Sequence, residues 1–198
     1  MQKILYISLL ALLPASILSA QTANEYLASA NSAYASGNNQ EARFQLQQAL
    51  IALDEMVAKD ILSTLPTSLE DLTADTDNDQ YTSVNTGFTG LYVDRSYAGP
   101  GEKRLQISIM NDSPFLANLT SMLANPLMAG MAGMKVVRFD GYKGAVEVVE
   151  GSSPLTVNIS IPFGDSLMTL EFKDVADQEE AVGLAQQLPI GEVINIAK

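Results

Sequence analysis

Hydrophobic and polar positions change period about a third of the way along this 198-residue chain. Before Pro66 they recur at helical spacing. Tyr26, Ala30 and Tyr34 fall on one face with Leu27 beside them, and Leu46, Leu50, Leu53, Val57 and Ile61 repeat at steps of three and four. Thr22 and Glu25 stand at capping-box spacing, Gly37 can close the first helix, and Asn38-Asn39 can open the second. The pattern predicts an antiparallel helical hairpin over residues 21–66, ended by Pro66.

Further on the period becomes two. Thr86 to Tyr97 and Lys103 to Met110 read as two strands around Gly99-Pro100-Gly101, with Leu105, Ile107 and Ile109 alternating with Gln106 and Ser108. Asp112 or Ser113, followed by Pro114, can open a helix carrying Phe115, Leu116, Leu119, Met122 and Leu123, which Asn125-Pro126 ends. Four short strands follow, over residues 135–139, 143–149, 155–161 and 166–172, with Asp140-Gly141 as one turn. Asp174 or Asp177 caps a last helix with Ala181, Leu184, Ala185 and Leu188, stopped by Pro189. The expected fold is α+β. The hairpin precedes a two-layer domain over 85–198, a five- or six-stranded antiparallel sheet with two helices on one face. Between the two lies an acidic linker, 67–84, in which Glu70, Asp71, Asp75, Asp77 and Asp79 occur with no base.

The first twenty residues do not fit that domain. Lys3, the apolar run Ile4 to Leu13 interrupted by Ser8, Pro14 and the small pair Ser19-Ala20 read as a signal peptide cut after Ala20. The expected location is therefore periplasmic or secreted. With no cysteine, stability must come from a core and not from disulfides. With no histidine or cysteine, Ser-His-Asp and Cys-His nucleophile systems and the usual zinc sites are excluded. A net charge of −12, or −13 once Lys3 leaves with the leader, opposes nucleic acid and anionic membranes as partners.

The segment AYASGNNQEARFQLQQAL resembles the middle of a tetratricopeptide repeat. Gly37, Ala42 and Ala49 stand where that repeat places small residues, although Leu46 replaces its aromatic and Asp54 its closing proline. The resemblance covers one repeat, whereas about three are needed to bury such a face. It implies a peptide-binding hairpin, with Tyr26, Tyr34 and Phe44 as candidate interaction residues. A plain hairpin docked on the rest of the chain is the alternative. The later order of hairpin, helix, short strands and terminal helix resembles PsbP/Mog1-like domains at fold level only. The LP at Leu65, the SP helix start and the ANP helix end are similar to those of uncharacterised exported bacterial proteins of unknown function.

Two constellations could hold a metal. Met128, Met131 and Met134, with Met122 upstream, offer soft thioethers suited to Cu(I), or simply fill apolar gaps. Asp75, Asp77 and Asp79 open like a calcium loop, but Gln80 replaces its glycine and Thr86 its closing glutamate. A Ser113 pairing with Lys135 or Lys143 carries no distinguishing motif. Arg95 and Tyr97 offer a ligand contact or the polar face of a sheet edge. The expectation is a non-catalytic exported binding protein with a protein or peptide partner and no cofactor. The alternative is a periplasmic small-ligand or metal (Cu or Ca) carrier.

Overall fold

The computed structural model of the protein describes residues 22–81 and 90–198. The leader, its cut after Ala20, and the expected strand start at Thr86 lie outside the described residues. The hairpin forms as its caps require. Helix α1 spans Ala23–Ala35 and α2 spans Asn39–Thr64. Thr22 Oγ1 accepts from the Glu25 amide, and Glu25 Oε2 accepts from the Thr22 amide at 2.8 Å, a complete capping box. Gly37, at φ 79°, makes the left-handed exit from α1, and the Asn38 side chain caps α2. The buried residues along the facing sides are alanines, Ala23 and Ala30 on α1 and Ala42 and Ala49 on α2. Such small residues let the two axes approach closely.

The sheet is larger than expected, with nine strands among the described residues in place of five or six. They are β1 Ser68–Leu69, β2 Leu72–Ala74, β3 Gln80–Tyr81, β4 Tyr92–Ala98, β5 Arg104–Asn111, β6 Met134–Phe139, β7 Tyr142–Val148, β8 Thr156–Phe163 and β9 Ser166–Lys173. The antiparallel order is β1-β2-β4-β5-β9-β8-β7-β6, with β3 also on β4. The additional strands come from the acidic segment expected as a linker. Leu69 and Leu72 are buried, which draws the segment onto the sheet while most of its carboxylates stay in water.

Helices cover both faces of the sheet, a correction to the two-layer arrangement with both helices on one face. On one face Val93, Tyr97, Ile107, Ile159, Leu170 and Phe172 pack under the C-terminal half of α2, α5 (Gln178–Ala185) and α6 (Ile190–Ala197). On the other, Leu119 and Leu123 of α3 (Leu116–Ala124) pack on Ala145 and Leu167, followed by α4 (Pro126–Met131). Alternation decides the split, because Ala145 and Val146 are adjacent on β7 and bury on opposite sides. Pro189 is a start, not a stop. It precedes α6, whose Ile190, Val193 and Ile194 are buried, and Asp140 from the β6–β7 turn accepts the Gly191 amide at 2.9 Å. That turn holds Asp140 and Gly141 at φ 47° and 88°, the geometry of a tight two-residue hairpin.

Lys103 ties the β4–β5 turn to its surroundings, 3.0 Å from Asp71 and 2.8 Å from Glu180. The Glu180 hydrogen bond holds the ammonium above its ordinary pKa. In turn Lys103, with the Ala176 amide, holds Glu180 below the ordinary carboxylate range. A lowered carboxylate pKa adds stability above the unfolded value of 4.5 and loses it as pH falls through the folded one. Lys103→Met should therefore fall furthest below wild type at neutral pH, with the gap closing below that value, as urea unfolding across pH will show.

Gly144 of β7 is a packing constraint. A Cβ there would sit 2.9 Å from the Phe139 ring and 3.0 Å from Ile161. Gly144→Ala should lower stability by about 1–3 kcal/mol with an unchanged denaturant slope.

Candidate interaction surfaces

Only the C-terminal half of α2 buries residues against the sheet, namely Ala58, Ile61 and Leu62. Upstream, the stripe that periodicity marks as a packing face is uncovered. Leu46, Leu50 and Leu53 are 48 %, 61 % and 42 % exposed, and on α1 Leu27 and Tyr34 are 44 % and 71 % exposed. The alanines occupy the seam, so the leucines lie outside it. At about 100° per residue, both sets sit ahead of their alanines in the direction of helix rotation. In two antiparallel right-handed helices that direction is the same side of the pair. Leu27, Tyr34, Leu46, Leu50 and Leu53 thus make one apolar face.

Of the interaction residues expected from sequence, Tyr34 lies on this face and Tyr26 is half-buried near the seam. Phe44 is exposed but sits about 150° round α2 from the alanines, on the opposite flank. There it lines a shallow depression with Asn39, Gln40, Arg43 and Gln47. The leucines were missed as site residues because an apolar stripe reads as packing. The tetratricopeptide-like alanines were the available signal, since small residues in the seam displace large ones from it.

The hairpin is anchored by Arg95, which is not on a polar face but buried among core residues at 4 % exposure. Its guanidinium donates to the carbonyls of Leu62 and Leu65, at 2.8 and 3.1 Å, at the end of α2. Two further donors grip Asp79, with Nε at 2.8 Å from Oδ1. The Asp79 hydrogen bond leads the causes that raise the Arg95 pKa above its ordinary value. Tyr97 donates to the Pro66 carbonyl at 2.8 Å, and burial raises its phenol. Both residues hold structure. Asp79 is committed to Arg95, and Asp75 accepts from Asn78. Among the described residues no three carboxylates gather to hold a metal ion.

A second apolar surface lies on α3 and α4. Phe115, Leu127, Met128 and Met131 are 70 %, 74 %, 54 % and 83 % exposed. Met134 behaves differently, being half-buried against the Leu119–Leu123 cluster. The three methionines are thus divided between surface and packing. The expected side-chain cap on α3 is absent, and its first amide bond runs from Leu116 to the Ser113 carbonyl. Lys135 pairs with Glu179 and Lys143 donates to the Leu123 carbonyl, so each lysine has a partner other than Ser113.

The chain matches no protein-family model, no curated protein and no solved structure. No helix among the described residues is long and apolar enough to cross a membrane.

Asp79→Asn leaves the Arg95 charge buried and half-answered. It should destabilise the protein by about 3–5 kcal/mol, the range for breaking a buried ion pair, whereas Asp77→Asn on the exposed turn should change stability by under about 0.5 kcal/mol. Equilibrium urea unfolding of the two variants checks this.

Proposed function

We propose that this is an exported, non-catalytic binding protein whose helical hairpin offers an apolar face to a protein partner. The observation that carries the reading is the contiguous exposure of Leu27, Tyr34, Leu46, Leu50 and Leu53 on one side of the hairpin. Exposed apolar patches rimmed by polar residues mark contact sites, and helices commonly dock by such leucine stripes. The lack of histidine and cysteine supports a binding role, since it removes the commonest catalytic bases and nucleophiles. The signal-like first twenty residues support export. The metal-carrier reading has less support, because Met134 is turned to packing and Asp79 is bound to Arg95.

The test is a cross-linking capture of tagged protein from its exported compartment, comparing wild type with Leu50→Glu and Phe44→Glu. Leu50 is 61 % exposed, so the charge is tolerated by the fold and disrupts only what covers the face. A recurrent partner should fall at least about tenfold with Leu50→Glu, a charge buried in an apolar contact, and persist with Phe44→Glu on the opposite flank. Partners retained equally by both variants would refute the hairpin as the binding site.

A further inference from the structure

We infer that a partner of this face is a second copy of the chain, two hairpins pairing about a two-fold axis into an antiparallel four-helix bundle. The inference rests on the binding reading above and names the occupant.

Charge is the first argument. Two chains of net charge −12 repel, so a homophilic contact must form where that charge is absent. Between Tyr26 and Leu53 the only charged residues are Glu41 and Arg43, which cancel. The outer flank of the face carries Asn31, Arg43 and Gln47, with Asp54 just past Leu53, charges that again cancel. A basic foreign partner would gain from acidic ground, and the face is not acidic.

Area is the second argument. The exposed fractions of the five residues leave roughly 500 Å² per copy, so a symmetric pair that covers them completely buries about 1,000 Å², at the lower limit for a specific interface. The expected dimer is therefore weak, with a dissociation constant in the micromolar range.

Geometry is the third. A two-helix layer with an alanine seam and large apolar side chains along one side has the makings of half of a four-helix bundle. A two-fold axis brings the same patch of both copies together, so one apolar stripe serves as both surfaces. The part of α2 upstream of Val57 is about 27 Å long at 1.5 Å per residue, enough to carry such a contact.

Sedimentation velocity of the exported protein from roughly 1 to 200 µM spans the expected micromolar range. Wild type should pass from monomer to dimer. Leu50→Glu and the milder Leu46→Gln should weaken the dimer at least about thirtyfold and about threefold respectively, with thermal unfolding of the dilute monomer unchanged. Met131→Glu, on the α3–α4 surface, should leave the dimer intact. Raising salt should tighten it, because screening relieves repulsion between the acidic bodies while the contact itself carries no net charge. A wild type that stays monomeric throughout overturns the inference, as does a dimer that survives Leu50→Glu or is lost with Met131→Glu. If the wild type is monomeric yet captures a foreign protein in a Leu50-dependent way, the self-pairing fails and the binding reading stands. If neither association depends on Leu50, both fail.

Discussion

The rest of the molecule depends on how one buried cation is satisfied. The Arg95 guanidinium sits in the core between α2, the acidic segment and β4. A charge there is tolerable only if its donors are answered, and two separate pieces of chain answer them. The carbonyls of Leu62 and Leu65 belong to the end of α2, where a helix leaves acceptors without partners and where a positive charge complements the negative end of the macrodipole. The Asp79 carboxylate belongs to the acidic segment, next to β3. One residue on β4 thus satisfies the end of a helix and ties the acidic segment beside it. Tyr97, two residues on and on the same face, repeats the tie through the Pro66 carbonyl.

That junction gives the hairpin its mechanical meaning. Because α2 is a single helix of 26 residues, the part that presents leucines is continuous with the part rooted by Arg95. A surface held this way loses little conformational freedom when something docks on it, which favours binding by a small contact area. The same contact energy on a loosely tethered hairpin would be offset by the cost of ordering it.

Periodicity made the helices, the caps and the long strands readable, because each is a local property of a few neighbouring residues. The capping box at Thr22 and Glu25 and the turn at Asp140-Gly141 need nothing from afar. The Arg95 junction could not be read, since its partners lie 16 and about 30 residues away in sequence. On β4, Arg95 alternates onto the same face as the buried Val93 and Tyr97. In sequence alone a charged strand residue reads as a ligand contact or a polar sheet edge, and only its tertiary partners show it buried. Strands β1 to β3 are two or three residues long, too short to show a period, so an acidic composition dominated the reading of that segment. The face chosen by α3 was also illegible, because an apolar helix fits either side of a sheet.

The leucine stripe of α2 shows a different limit. Periodicity identifies which side of a helix is apolar but not what covers it. Here four alanines take the seam between the helices, and their small size brings α1 close while pushing Leu46, Leu50 and Leu53 to its edge. A seam of large residues would have hidden the leucines between the helices and left a polar exterior. The choice of alanine therefore thins the hairpin and exposes its apolar surface together. In a chain whose net charge is −12, that surface is confined to a stretch with no net charge. Acidic surroundings oppose association over much of the remaining surface. Any association through this face would bury apolar area where the chain's own charge opposes it least.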